Sequence, residues 1–366
     1  MIMIPKFGLN RHDQTSVSAY AKDVARAEKL GWDCAFLPDS PLRVRDNYVL
    51  LAAAAQKTST ITIGPLLTNP IIRKPFVTAS SISTVAELAP NRTVLGMGVG
   101  DTAVRLAGLK PARVKELEEA VNVIRTLLSG SEIDLGASIP SKLYHAQPVP
   151  VWVASAGPRT LKMAGASADG VFIRVGTSKQ NVELAVEKIK EGAKGEGKDP
   201  KSIKLAADFH IVLSDDMEAA MYMGKSIAAG YYEYSPNLFE NLDFSWPGPH
   251  PDELRAELIE LNKNNSSKGL NAPDFHHASN LVDSGKLVDF IPDEFAQAFC
   301  FIGNSEQVSD QIVDFLKDCD SVGINFEYIL LHPVPNPPMP DIGVNSYMEK
   351  IPREVLPQVK NRLKEM

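Results

Sequence analysis

Short strand-like runs alternate with amphipathic helical stretches along the whole chain, and this rhythm limits the fold more than any other feature. Eight runs qualify as strands: "KFGLN", "DCAFLPD", "TITIGPLLTNP", "RTVLGMGVGD", "VPVWVASAG", "GVFIRVG", "IKLAADFHIVLS" and "INFEYILLHPV". They are rich in β-branched and aromatic residues and bounded by Gly, Pro, Asn or Asp. Between them, residues 16–30 set Val17, Tyr20, Val24, Ala27 and Leu30 on one helical face and stop at Gly31. Residues 112–128 carry Val114, Leu117, Val121, Ile124 and Leu128 at spacings of three and four, and 178–191 open on Ser178 and bury Val182, Val186 and Ile189. Asn304 and Gln307 form a capping-box pair ahead of a further helix. The βαβα order implies a parallel sheet, and eight strands close a (β/α)8 TIM barrel. An open doubly wound sheet is the alternative, and it suits the strand count and the final helix less well.

One barrel over residues 1–366 is the expected domain organisation, interrupted twice. Residues 130–148 add a Gly/Ser/Pro-containing loop, and residues 230–303 form a long insertion between strands seven and eight. Helical pieces are expected at about 252–263 and 276–287, and its aromatic residues suggest a lid. A net charge of −7 without a Lys/Arg-dense stretch argues against nucleic acid. No run of 18 apolar residues and no signal-type opening are present, so a soluble cytoplasmic protein is expected. Cys34, Cys300 and Cys319 are odd in number and widely spaced, which suits buried thiols in a reducing compartment rather than a metal site. The adjacent His276 and His277 lie in the insertion, point apart if helical, and lack ligand spacing, so no metal is expected. No G-x-S-x-G nucleophile turn occurs.

In a parallel barrel the active site gathers at the C-terminal strand ends. Those ends turn polar: Asn10 to His12, Asp39 and Ser40, Thr68 and Asn69, Gly100 and Asp101, Ser155 and Ala156, Arg174, Ser214 and His332. In "TVLGMGVGD", Gly96, Gly98 and Gly100 share one strand face. They either admit close packing of neighbouring protein or leave room for a flat ligand. A dinucleotide fingerprint is disfavoured, because the third glycine comes one residue early, Asp101 follows it, and the next helix is expected some ten residues later. "ASAGPRTLKMAG" is the better anion site. Gly157 and Pro158 stand at a strand–helix junction whose free N–H groups favour a phosphate, and Arg159 adds charge.

On "IGPLLTNPIIRKPFVTASSISTVAELAPNRTVLGMGVGD" and "ASAGPRTLKMAGASADGVFI", the chain resembles the bacterial luciferase-like superfamily, closest in texture to the methylenetetrahydromethanopterin reductase branch. The similarity covers most of residues 4–214 and resumes at "FIGNSEQVSDQIVDFLKDCDSVGINFEYI". It implies a barrel that binds FMN or a deazaflavin at its mouth. The ring would lie near Leu66, Leu67, Thr68, Val99 and Gly100, with a cis peptide bond at or beside Leu66–Leu67. Ser155, Ala156, Gly157 and Pro158 would flank the cofactor tail, with Arg159 and Arg174 as further cofactor-binding residues. Arg174 is equally a candidate partner of Asp101. Asp39 matches the family's acidic residue at the end of strand two.

This chain departs from relatives in two places. Ser40 stands where many carry histidine, and serine does not titrate near neutrality. Asp101 replaces the Glu of glucose-phosphate-oxidising members, which argues against that substrate. The expected function is a flavin-dependent oxidoreductase, a reduced-FMN monooxygenase on a small organic substrate, with a flavin reductase as supplier. Asp101 and Asp39 would polarise or deprotonate groups at the ring, and Ser40, His12 and His332 would touch substrate. Tyr231 and Tyr232, with Phe239, Phe244 and Trp246, would close over it. The alternatives are hydride transfer with the deazaflavin coenzyme F-420, a non-catalytic flavin-binding barrel, and a barrel enzyme without flavin. A homodimer is expected from the resemblance.

Overall fold

The computed structural model describes residues 2–10, 16–265, 274–278, 280–333 and 347–365. The strands among them are β1 (Lys6–Asn10), β2 (Cys34–Leu37), β3 (Thr62–Pro65), β4 (Leu95–Met97), β5 (Val151–Ser155), β6 (Gly170–Ile173), β7 (Lys204–Leu213), β8 (Cys300–Gly303) and β9 (Tyr328–Pro333). β1–β7 and β9 are the eight strands of a parallel α/β barrel, and β8 lies off that path against β7. His12 lies outside the described residues.

The chain divides into two compact units. The first comprises Lys6–Ile173 and Glu187–Ala206, the second Met1–Pro5, Arg174–Val186 and Ala207–Met366. In the first unit Cys34 of β2 registers with Gly8 of β1 and Thr62 of β3, and Trp152 of β5 with Gly96 of β4 and Gly170 of β6. Single bridges, Ile63 with Thr93 and Thr68 with Met97, join the two strand triplets. The helix Val17–Leu30 forms where its periodicity places it: Ser16 Oγ accepts from Ala19 N, and Tyr20, Ala21, Val24 and Ala27 are buried. The helix Val114–Leu128 opens with Glu116 accepting from Arg113 N and buries Leu117, Val121, Ile124 and Leu128. Phe172 meets Phe36 edge-on at 5.4 Å and Trp152 at 5.0 Å. Each such ring contributes roughly 1.5–3 kcal/mol by leaving water.

One boundary departs from the sequence expectation. Thr102–Leu106 is helical directly after Asp101, whose carbonyl accepts from Val104 N and Arg105 N. Gly108, at φ 71°, and Pro111 end it before a second turn can develop.

In the second unit β7 pairs with β8 from His210 with Cys300 to Leu213 with Gly303. The expected insertion therefore contains a strand of its own, "CFIG", beyond the eight runs expected from the sequence. Asn304 and Gln307 make the expected capping box on the helix Ser305–Ser321. The expected helix over 276–287 divides into a 3-10 turn, Phe275–His277, and a helix, Leu281–Leu287. Asn280 separates them because its side chain accepts from Val282 N and Asp283 N, which starts a new helix. The other expected piece is the helix Arg255–Asn265.

Candidate cofactor and active site

The segment "LLTNPIIR" after β3 is held by partners on both sides in sequence. Leu66 N donates to Leu37 O at the end of β2, and Asp39 N donates to Leu67 O. Thr68 N donates to Gly96 O, and Thr68 O accepts from Gly98 N. The Leu66–Leu67 peptide bond is cis, at the position the resemblance implies. Asn69 Oδ1 accepts from Ile71 N and Ile72 N and so turns the chain toward the helix Pro75–Leu88.

Asp39 anchors this segment. Its Oδ2 accepts from Thr68 Oγ1 at 2.8 Å and from Arg73 Nε at 2.9 Å, and its side chain is 1% exposed. Arg73 also reaches Asp46 Oδ2 at 2.6 Å and lies 4.8 Å over the Tyr48 ring. Burial pushes the Tyr48 phenol up, and the Asp39 charge adds to this. Burial works against the Arg73 guanidinium, yet Asp39 and then Asp46 raise it above its ordinary value. In this structure the Asp39 carboxylate is held by protein partners on both sides. Arg73 was not singled out from the sequence, although it sits inside a stretch that carries the resemblance.

The glycines serve protein packing. A Cβ on Gly96 would stand 2.5 Å from Pro65 O, and one on Gly98 would stand 2.8 Å from Leu67 Cδ2. Gly100, at φ 84°, would press Val104 Cγ2 at 2.4 Å and Asn69 Cγ at 2.9 Å. The space a Cβ would take at these three glycines is therefore filled by the segment just described, which matches the close-packing alternative. Of the ring-site residues implied by resemblance, Leu66, Thr68 and Gly100 are buried, while Leu67 and Val99 keep partial exposure.

Gly157 is different: a Cβ there would meet nothing within 4 Å. It is the N-cap of the helix Pro158–Ser167, with Pro at the first turn and no side-chain cap. The first-turn N–H groups and the positive end of the helix dipole thus face an open backbone approach, a fitting seat for a phosphate. Ser155 Oγ donates to Gly157 O at 3.4 Å and shapes the turn. Ala156 is half-buried, and Arg159 is exposed beside it. Ser40 is buried, and its Oγ has no hydrogen-bond partner among the described residues. These features fit a phosphorylated ring cofactor by its tail and leave one polar atom uncommitted at the end of β2.

Asp101 pairs with Arg105 at 2.7 Å, both largely exposed. Arg174 pairs instead with buried Asp208 at 3.2 Å, so the expected Arg174–Asp101 pair is replaced on both sides. Also in the second unit, His332 on β9 stacks on His210 of β7 at 4.9 Å, and His210 stacks on His276 at 5.3 Å. Tyr231 Oη lies 3.5 Å from His210 Nδ1. The sequence reading missed His210, because a single histidine within "DFHIVL" looks like strand filler. The lid aromatics pack on each other: Tyr232 on Trp246 at 4.1 Å, Phe239 on Phe299 at 4.5 Å and Phe244 on Phe295 at 3.8 Å. They build a core within the insertion itself. Among the described residues, no cluster of three or more His, Cys, Asp or Glu is arranged to hold a metal.

The family model for luciferase-like monooxygenases matches residues 1–319. The 5,10-methylenetetrahydromethanopterin reductase of Archaeoglobus fulgidus is 29% identical over 302 residues, 80% of this chain and 85% of that protein. An F-420-dependent glucose-6-phosphate dehydrogenase of Intrasporangium calvum is 33% identical over 177 residues, 42% of this chain and 53% of that protein. Among solved structures, the coenzyme F-420-dependent tetrahydromethanopterin reductase of Methanopyrus kandleri superposes with a TM-score of 0.70 at 23% identity, covering 98% and 100% of the two chains. A long-chain alkane monooxygenase shares the fold at a TM-score of 0.63 and 15% identity, covering 99% and 92%. On a match that runs through most of its length, the chain belongs to the luciferase-like family of oxidoreductases.

Proposed function

We propose that this protein is a deazaflavin-dependent oxidoreductase that moves a hydride between coenzyme F-420 and a small organic substrate. The observation that carries the reading is the uncapped helix N-terminus at Gly157, open where a Cβ would find no neighbour. Relatives support the choice of coenzyme. Those alignable at about a third identity include enzymes named as F-420-dependent, whereas the alkane monooxygenase shares only the fold at 15% identity. The expected preference for an FMN monooxygenase therefore gives way to the deazaflavin alternative, which needs no reductase to supply reduced FMN.

When bound, the deazaflavin supplies or accepts the hydride. This chain's residues bind and orient. The backbone at Gly157, with Arg159 beside it, holds an anionic tail. Leu67 and Val99 offer the partly exposed apolar surface of the segment that Asp39 fastens. Ser40 Oγ is free to donate or accept one hydrogen bond, so it orients a substrate group rather than taking its proton.

Difference spectra of purified protein titrated with F-420 and with FMN, oxidised and reduced, test the reading. F-420 binding without O₂ uptake is expected. Tight FMN binding with O₂ consumption would overturn it. Ser40→Ala removes a buried oxygen without a protein partner, so the variant should be no less stable and should gain up to about 1–3 kcal/mol, the cost of an unsatisfied buried hydroxyl. Turnover in that variant should fall by roughly five- to tenfold, the loss of one hydrogen bond of about 1–1.4 kcal/mol. Unchanged turnover would remove Ser40 from the site.

A further inference from the structure

We propose that Arg73 is a positioning residue of the cofactor site, holding the Leu66–Asn69 segment in place through Asp39 and Thr68. This rests on the cofactor reading above. The tie runs through one atom: Asp39 Oδ2 accepts from both Arg73 Nε and Thr68 Oγ1, so the carboxylate cannot move without moving Thr68. Thr68 in turn exchanges backbone hydrogen bonds with Gly96 and Gly98 of the glycine strand. The Leu67 side chain lies against Gly98. Arg73 therefore governs where the exposed edge of Leu67 sits, thirty-odd residues of chain away from the strand end it clasps.

The pairing is not an ordinary surface bridge. Arg73 with Asp46 alone would resemble one, since the Asp46 side chain is 44% exposed. Asp39, at 1%, is a buried carboxylate, and removing the Arg73 guanidinium that faces it would strand the charge in a low dielectric. The groups facing Asp39 are Arg73, the Thr68 hydroxyl and the Tyr48 phenol, with Asp46 on the far side of the guanidinium. Tyr48 cannot replace the lost charge, because burial raises its phenol. The two-pronged grip on Asp39 and Asp46 needs a guanidinium, so lysine should restore charge without restoring geometry.

The test compares Arg73→Met, Arg73→Lys and the double variant Asp39→Asn/Arg73→Met. Infrared spectra of cofactor-free protein report the clamp. Arg73→Met should gain a protonated-carboxyl band, titrating above the ordinary carboxylate range, that disappears in the double variant. Affinity for F-420, measured by fluorescence, reports positioning. Arg73→Met should weaken by roughly tenfold or more as pH rises from about 5.5 to about 8, one pKa unit of coupling being a tenfold effect. The wild type and the double variant should show no such pH trend, and Arg73→Lys should fall between. A lowered melting temperature with wild-type affinity at every pH would make Arg73 merely structural and sink the proposal. So would a carboxyl band that survives Asp39→Asn. If the wild type itself ignores F-420, the functional reading fails and positioning of that cofactor fails with it, while the infrared result still decides whether the clamp exists.

Discussion

Replacing Gly157 by aspartate should push stability and cofactor affinity in opposite directions. Gly157 sits at φ −77° and ψ 140°, a backbone conformation natural to a capping aspartate, and space for its Cβ is open. The new carboxylate can accept from the N–H of Arg159 or Thr160, which no side chain caps now. Against glycine this is worth a few tenths of a kcal/mol as a cap, with about 0.3–1 kcal/mol more from the helix dipole. The loss of a flexible glycine from the unfolded chain adds about 0.4–1 kcal/mol. The sum is about 1–2 kcal/mol, or roughly 2–4 °C in Tm for a chain of this size. The same carboxylate takes the donors that a phosphate would use and sets a negative charge beside it. Losing one charge-assisted hydrogen bond of about 1.5–3 kcal/mol means roughly 10- to 150-fold weaker binding. The effect should grow at low salt, where repulsion is less screened. Thermal melting and F-420 fluorescence titration on the same preparation measure both arms. Wild-type affinity in a variant whose Tm has risen would show that the phosphate does not sit at Gly157.

The glycine strand gives a second contrast. Gly96→Ala drives a methyl against the Pro65 carbonyl, which belongs to backbone, so about 1–3 kcal/mol or more should be lost in urea. Gly98→Ala meets only the tip of Leu67, which can swing away, and should cost less; equal losses would show that the strand spacing is not what the glycines protect. Glu233 supplies a pH test. Burial pushes its carboxyl up to about 7, with Arg255 opposing and Asp274 adding. Its folded value lies above the unfolded 4.5, so its favourable contribution is complete below 4.5 and lost as pH rises through 7. Glu233→Gln should therefore melt higher than the wild type at pH 8, by up to about 1.4 kcal/mol for each pH unit passed, with the difference vanishing near pH 4. A wild-type advantage at pH 8 would refute this.

What the sequence determined by itself was local. The strand–helix alternation, the stop at Gly31, the cap at Asn304 and the strand–helix junction at Gly157 each depend on residues within a few positions of one another. Hydrophobic period and capping chemistry act at that range, so these features could be read directly. Pairing between distant charges could not be read this way. Asp39 with Arg73 is 34 positions apart, and so is Arg174 with Asp208; a sequence reading sees only two acids and two arginines with several ways to combine. Packing made the choice, because a buried carboxylate must take the nearest cation that the backbone delivers to it. The glycines show the same division. Their period of two placed them on one strand face, but only the folded chain revealed that Leu67, Pro65 and Asn69 already fill the space in front of them.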